Sequence, residues 1–182
     1  MFSTVQRLNT LSNLWINALL VLCLWIAVST YFDKKEAPSS VKLIAAERKT
    51  TRIYNSFYNI RQEYAFIRFE LETGSFFRGK NISPLFHWNT KQVFVYVVAS
   101  YASSEKYPYN EIMLWNRIIS DKKDAIIRLR NQPNIFAFND IEGSFANKNL
   151  TLSMYYNIMP QVGLLAWGNG QSSGSLPFSI SH

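Results

Sequence analysis

The stretch QVFVYVVASY, residues 92–101, decides the fold class of this sequence. Apolar residues occupy both sets of alternating positions, whereas a strand with one face in water alternates apolar and polar residues. The run is short and rich in β-branched and aromatic side chains, which suit a pleated surface. It therefore predicts a central β-strand that is buried on both faces.

The period of two continues on both sides of this strand. From Ala65 to Leu71 every second residue is apolar, and most of the residues between them are charged. Further strand candidates are residues 111–119, 124–130, 134–140, 150–159, 162–168 and 176–180. Many short strands separated by turn residues predict an all-β fold, an antiparallel β-sandwich of the immunoglobulin-like or a related type. The predicted core includes Phe69, Val95, Val97, Trp115, Ile118 and Leu152.

Residues 33–61 allow two interpretations. The alternation from Val41 to Ala45 is typical of a strand, whereas the spacing of apolar residues from Ile53 to Ile60 fits one face of a helix. This segment also carries the local excess of positive charge, with five basic residues against Glu47 in residues 37–61. A solvated or headgroup-proximal stretch explains this excess better than a nucleic-acid site, because no basic stripe continues through the rest of the chain.

The N-terminal part contains LWINALLVLCLWIAVSTYF, residues 14–32, without a formal charge. As a helix it would span about 28 Å, close to the hydrocarbon thickness of a bilayer. We therefore predict a short N-terminal segment over residues 1–12, a transmembrane helix over 13–32 and a β-rich domain over 33–182. A cleavable signal peptide is the competing interpretation, with a small-residue cleavage site at 27–29. Against it, the apolar run continues to Phe32.

The orientation of this helix is open from the residues alone. Lys and Arg residues are more numerous after the helix than before it, which favours a cytoplasmic domain. Two N-x-S/T sequons, at Asn81 and Asn149, instead favour a lumenal domain that carries glycans.

Residues suited to catalysis or metal binding are scarce. The single cysteine, Cys23, excludes an intramolecular disulfide and a cysteine-based zinc site, and the histidines are His87 and His182. His87 is expected to be a partly buried turn or strand-edge residue. The tract 168–175 is glycine-rich but lacks the G-K-[ST] of a phosphate loop, so a flexible hairpin or surface loop is expected. A catalytic Ser–Lys dyad is not excluded, because serines and lysines are plentiful, but the sequence indicates no particular pair. We expect no catalytic residue, metal or cofactor.

Three segments in a fixed order carry a family resemblance: PLFHWNTKQVFVYVVASY (84–101), NEIMLWNRII (110–119) and NKNLTLSMYYNIMPQVG (147–163). With the N-terminal anchor, they resemble subunit 3 of the eukaryotic signal peptidase complex, the 22/23-kilodalton subunit family. The most specific elements are Trp88-Asn89-x-Lys91-Gln92-x-Phe94-x-Tyr96, then Leu114-Trp115, then Asn149-Leu150-Thr151-Leu152 with Asn157, Pro160 and Gly163. The chain departs from the family at His87, where relatives tend to have Asp or Asn, and at Asn116-Arg117, where they tend to have Asp-Lys.

The resemblance implies a single-pass type II protein of the endoplasmic reticulum membrane, with a short cytoplasmic N-terminus and a lumenal β-rich domain. It implies that peptide-bond cleavage belongs to a separate catalytic subunit, which this chain would brace during signal peptide removal. The implied partners are that subunit, the other small membrane subunits, the lipid bilayer and the translocon, with no nucleic acid. Without the resemblance, a self-sufficient membrane-anchored or secreted hydrolase and a tethered lectin- or adhesin-like sandwich remain alternatives.

Site residues follow from this interpretation. Asn149 is the expected glycosylation site, because the family motif carries a sequon there, and Asn81 is a second candidate on its sequon alone. Trp88, Tyr96 and Trp167 are the candidate docking surface, since exposed aromatic residues are frequent anchors in interfaces. For each of them, burial in the core is the alternative.

Overall fold

The computed structural model describes residues 3–32, 41–55, 60–73, 82–103, 107–140, 145, 148–173 and 175–177. Within these residues it contains one α-helix, two short 3₁₀ turns and nine strands. The helix α1 is Thr4–Phe32. The strands are β1 (Val41–Asn55), β2 (Ile60–Thr73), β3 (Thr90–Tyr101), β4 (Asn110–Ile119), β5 (Arg128–Pro133), β6 (Phe138–Asn139), β7 (Asn149–Pro160), β8 (Ala166–Ser172) and β9 (Leu176–Pro177).

The helix α1 is long and apolar enough to cross a membrane. It begins at Thr4, ahead of the apolar segment, and ends at Phe32, where that segment ends. Its side chains are exposed except near the C-terminal end, where Ile26, Ala27, Ser29 and Thr30 are partly buried. A helix with this much apolar surface needs lipid or other membrane helices around it.

The strands form two antiparallel sheets, as the alternating pattern predicts. In the first sheet the order is β1-β2-β5, and β6 also pairs with β2. In the second the order is β4-β3-β7-β8, and β9 also pairs with β7. Side chains from both sheets meet in one hydrophobic core, so the predicted antiparallel sandwich is confirmed.

The central position of β3 is also confirmed, since it pairs with both β4 and β7. On its inner face Val93, Val95 and Val97 are fully buried. On its outer face Phe94 and Tyr96 are only partly buried. The prediction of burial on both faces therefore holds for the inner face, while the outer face keeps an apolar surface that this chain covers incompletely.

Five of the six predicted core residues are buried, and Ile118 is not. Its side chain is 54% exposed, whereas the neighbouring Ile119 is buried. The reason is the strand period. Trp115 and Ile119 pair with inward-facing residues of β3, but Ile118 pairs with the outward-facing Phe94. A separation of three residues from Trp115 places Ile118 on the opposite face of the strand.

The ambiguous segment after the anchor contains a strand over its described part. β1 pairs with β2 from Val41 to Asn55, with one register shift between Ala45 and Glu47. The strand predicted from Val41 to Ala45 is therefore confirmed. The helical interpretation is wrong at Ile53, which lies in β1, and at Ile60, which begins β2, whereas Phe57 lies outside the described residues. The candidates 124–130 and 134–140 are shorter or shifted in the structure, as β5 and β6.

The glycine-rich tract begins as a strand rather than as a flexible loop. β8 includes Gly168 and Gly170, and Gly168 lies opposite Tyr156 of β7. A Cβ atom at Gly168 would lie 2.3 Å from the Tyr156 ring, and one at Gly170 would lie 2.9 Å from the Met154 methyl group. These glycines leave room for large β7 side chains to lean over the neighbouring strand.

Candidate functional site

The C-terminal end of α1 is joined to the sandwich by a small set of contacts that we call the membrane junction: Ala27, Thr30, Asn89, Val162 and Gly163. The Asn89 side-chain amide donates to Thr30 Oγ1 at 2.8 Å and to the Val162 carbonyl at 2.7 Å. Its Oδ1 accepts from the Val162 N–H at 3.1 Å. One buried side chain thus connects the helix to the turn before β3 and to the loop after β7.

The hydrogen bonds of the junction use both donors of Asn89 and one lone pair of its acceptor. Asn89 is only 2% exposed, so an unpaired amide there would be costly. Thr30 Oγ1 also donates to the Ile26 carbonyl at 2.8 Å, which fixes its hydroxyl group toward the helix. The backbone N–H of Gln161 donates to the Asn89 carbonyl at 2.7 Å. The junction is therefore uncharged and well paired.

Gly163 brings the loop close to the helix. Its φ is +122°, a backbone conformation that side chains with a Cβ atom rarely adopt. An added Cβ would already lie 3.5 Å from Ala27 Cβ, so two small residues form this contact. Asn89, Pro160 and Gly163 belong to the motifs quoted for the resemblance, yet no role was predicted for them. The sequence signal that could have pointed to this junction is Thr30, a polar residue within the apolar segment of the anchor.

The outer face of the second sheet carries a surface that we call the aromatic face: Phe94, Tyr96, Ile118, Tyr155 and Trp167. The rings of Phe94 and Tyr96 stack with centroids 5.3 Å apart, and those of Tyr96 and Tyr155 with centroids 5.6 Å apart. The strand register aligns Ile118 with Phe94, and it aligns Trp167 with Asn157 beside Phe94. Trp167 is 69% exposed.

Polar groups at the aromatic face lack partners or stay neutral. Asn157 Oδ1 is buried and has no hydrogen-bond partner among the described atoms. Burial, together with Tyr155 and Glu111, raises the pKa of Tyr96 above its ordinary value. The Tyr96 hydroxyl group therefore stays neutral at physiological pH and is able to donate.

The predicted docking residues do not form one cluster. Tyr96 and Trp167 lie on the aromatic face, and Tyr96 is partly buried. Trp88 lies elsewhere, in the turn beside Asn89, and is 68% exposed. Neither tryptophan is a core residue. Asn149 is exposed at the start of β7, and Asn81 lies outside the described residues.

A charged cluster lies at the opposite end of the sandwich, and we call it the charged clasp: Ser103, Asp140 and Lys148. The Lys148 ammonium group is 2.5 Å from Asp140 Oδ2 and 2.7 Å from Ser103 Oγ. Ser103 donates to Asp140 Oδ1 at 3.0 Å. The Asp140 side chain is fully buried, and that of Lys148 is 10% exposed. The clasp joins the ends of β3, β6 and β7, and therefore both sheets.

The clasp does not have the geometry of a Ser–Lys catalytic dyad. In a dyad a neutral lysine accepts the serine proton. Here the serine hydroxyl group donates to a carboxylate, and Lys148 is ion-paired with that carboxylate. Desolvation acts to raise the pKa of Asp140. Hydrogen bonds from Lys148, Tyr101 and Ser103 outweigh it and hold this pKa below its ordinary value. The cluster is consistent with a structural ion pair.

The described part of the chain also shows neither a histidine-based catalytic site nor a metal site. His87 is half-buried in the turn before β3, and its Nε2 is buried without a hydrogen-bond partner among the described atoms. It thus has no serine or carboxylate in hydrogen-bonding contact through that nitrogen. Across the described residues, no three His, Cys, Asp or Glu side chains are grouped as metal ligands would be.

Comparison with known proteins identifies the family of this anchored domain. The family model described as "Signal peptidase subunit" matches residues 1–181. Signal peptidase complex subunit 3 of Saccharomyces cerevisiae is 35% identical over 176 residues, covering 92% of this chain and 91% of that protein. The same subunit of Schizosaccharomyces pombe is 33% identical, covering 88% and 85% respectively. That of Gallus gallus is 29% identical, covering 98% and 94% respectively. The chain belongs to the signal peptidase subunit family.

Proposed function

We propose that this chain is a non-catalytic, membrane-anchored subunit of the signal peptidase complex of the endoplasmic reticulum. It would support the removal of N-terminal signal peptides from secretory and membrane proteins by bracing the catalytic subunit. Its relatives are named as subunit 3 of that complex. The membrane junction is the observation that carries the bracing role, because it fixes the position of the domain relative to the anchor.

A brace is useful because the reaction depends on height above the membrane. A signal peptide is cut a few residues beyond its membrane-embedded apolar region, and small misplacements of a reacting group slow catalysis strongly. A domain on a free linker would not hold a constant height. In this chain, Asn89 ties the domain to Thr30, inside the last turns of α1. A catalytic subunit docked on the domain would inherit that fixed height.

We assign the docking of the catalytic subunit to the aromatic face. Its residues are apolar or aromatic and incompletely covered, and Tyr and Trp are enriched among residues that dominate binding energy. The exposed sides of α1 would contact lipid and the other small membrane subunits. The translocon would be a neighbour, because it delivers the substrates.

We further propose a type II topology with the domain in the lumen and a glycan on Asn149. Asn149 is exposed at one end of β7, and Pro160 at the other end lies beside the membrane junction. The two residues are eleven positions apart along the strand, or about 36 Å at the rise of a β-strand. An acceptor this far from the anchor is open to a lumenal enzyme. Endoglycosidase treatment should increase the gel mobility of the wild type but not of the Asn149→Gln, Asn81→Gln variant. A wild-type band that never shifts would contradict the glycan.

The experiment that tests the proposed function has two halves. Depletion of the protein from cells should make secretory precursors accumulate with uncut signal peptides. The purified chain alone should cleave no precursor. Normal processing after complete depletion would refute the subunit role, and cleavage by the purified chain would favour a hydrolase. Ser103→Ala would then show whether the clasp serine takes part.

Docking on the aromatic face has a separate test. The Tyr96→Ala, Trp167→Ala variant should retain less catalytic subunit on co-purification than the wild type, while keeping its circular dichroism spectrum. Ile135→Ala is a matched control, since Ile135 is a 58% exposed apolar residue outside the aromatic face. Equal retention by both variants would place the docking surface elsewhere.

A further inference from the structure

Next to the membrane junction, three exposed apolar side chains form a surface that we call the apolar tip: Trp88, Leu164 and Leu165. Leu164 is 90% exposed, Trp88 68% and Leu165 45%. The segment PQVGLLAWG, residues 160–168, contains no charged residue. Exposed apolar side chains grouped on a domain surface indicate an interaction site for a protein or a membrane.

The membrane junction sets the height of this tip relative to the bilayer. Gly163, next to Leu164, packs against Ala27 of α1. Ala27 lies five residues before Phe32, the end of the helix, which corresponds to about 7 Å along the helix axis. Elements that insert their apolar side into the boundary of headgroups and acyl chains reach about 5–10 Å deep. The tip is therefore held at the depth of that boundary.

The backbone at the base of the loop, at Gln161 and Val162, is hydrogen-bonded within the protein. The N–H and C=O groups of Val162 are both hydrogen-bonded to the Asn89 side chain. The Gln161 N–H is bonded to the Asn89 carbonyl. Unpaired backbone groups are costly away from water, so the paired groups of Gln161 and Val162 suit a position beside lipid. In bulk water these groups would have had solvent as a partner.

We propose that the apolar tip inserts into the bilayer leaflet adjoining the domain, as a second membrane contact beside α1. Lipid is the occupant because the tip continues the lipid-facing surface of the anchor. An exposed Trp at this level is also typical of membrane interfaces. A groove between the helix and the loop, lined in part by Val28, Pro160 and Leu165, continues the apolar surface from the tip to α1. Two contacts on one rigid domain fix its tilt, which a single helix cannot do.

The test uses the full chain reconstituted alone in phosphatidylcholine vesicles, with an environment-sensitive fluorophore on a single cysteine. In a Cys23→Ser background, Leu164→Cys carries the label at the tip. Ala102→Cys carries it just after β3, on an exposed residue at the far end of the domain. A third preparation labels the native Cys23 within α1 and reports insertion of the anchor. Nitroxide-bearing lipids quench fluorophores that lie in the bilayer.

The proposal rests on α1 as a membrane anchor but not on the signal peptidase role. The label at position 23 tests the anchor, and the labels at positions 164 and 102 test the tip. The expected result is a blue-shifted emission at position 164 and a loss of fluorescence severalfold greater than at position 102. Shallow nitroxides should quench position 164 best, and deep ones position 23. If the label at position 164 shows the same emission and the same weak quenching as the label at position 102, the proposal is wrong. If position 164 becomes shielded only in the assembled complex, a protein partner covers the tip instead.

Discussion

The two ends of the sandwich are each closed by a buried polar network, and the networks differ in charge. At the membrane end, the junction uses a neutral amide, a hydroxyl group and backbone groups. At the far end, the clasp uses a carboxylate and an ammonium group. A neutral network avoids charges beside lipid, where they are expensive. A charged pair is tolerated at the end that faces water. We expect the two ends to respond differently to mutation and to pH.

The largest effect is expected from breaking the charged clasp. Lys148→Met leaves the Asp140 carboxylate buried without its cation and should lower the free energy of unfolding by about 3–5 kcal/mol. Chemical unfolding of the full chain in detergent micelles, followed by near-UV circular dichroism, would measure this. The exposed pair Arg128–Glu72, at 3.8 Å, is the matched control. Arg128→Met should cost less than about 1 kcal/mol.

The Lys148→Met, Asp140→Leu double variant sharpens this prediction. Removing both charges should restore most of the lost stability, because the cost lies in the unpaired buried charge. A double variant as unstable as the single one would show that packing, and not charge, explains the loss.

A smaller effect is expected at the membrane junction. Asn89→Leu leaves the N–H and C=O groups of Val162 without partners and should cost about 1–3 kcal/mol. Thr30→Val should cost less, because it removes one contact and leaves the Val162 bonds intact. The readout is hydrogen exchange, which should rise at residues 161–165 and stay unchanged around Asp140. Faster exchange at both ends would mean that the networks are not independent.

The next effect is that of Gly163→Ala. The φ of +122° at this position should cost a residue with a Cβ atom about 1–3 kcal/mol. The added methyl group itself would fit, since it would lie in ordinary contact with Ala27, 3.5 Å from its Cβ atom. The same detergent unfolding assay measures the loss, with Ala102→Gly as an exposed control of similar size. An unchanged stability would mean that the loop moves away from the helix without penalty.

The smallest effect near neutrality is that of pH. The pKa of Asp140 is lowered in the folded protein, so its contribution is complete above the unfolded value of about 4. As the pH falls through the folded pKa, this contribution is lost. Stability should stay flat between pH 7 and 5 as far as this group is concerned, and then decline. The Asn89→Leu variant should keep this profile. The Lys148→Met, Asp140→Leu variant should lose the part due to Asp140.

The sandwich was predictable because burial follows the strand period, which the sequence displays directly. Ile118 shows the limit of that argument, since residue type alone does not distinguish an apolar residue on an outward face from one in the core. The junction was not predictable for another reason. Asn89, Thr30 and Val162 are far apart in the chain, and only the fold brings their polar atoms together. The clasp has the same origin, since no spacing marks Ser103 and Lys148 as neighbours. The sequence signals for the junction were the motif that contains Asn89 and Gly163 and the polar Thr30 within the apolar segment.

The packing of Tyr156 over Gly168 restricts how this sheet can evolve. Replacing Gly168 alone forces a methyl group into the ring, and replacing Tyr156 by a small residue alone leaves a hole above the glycine. The two positions are therefore expected to change together during evolution, because either replacement alone destabilises the sheet. A relative that loses the ring should also be free to fill the glycine position, and the tract would then lose the composition that makes it look like a loop.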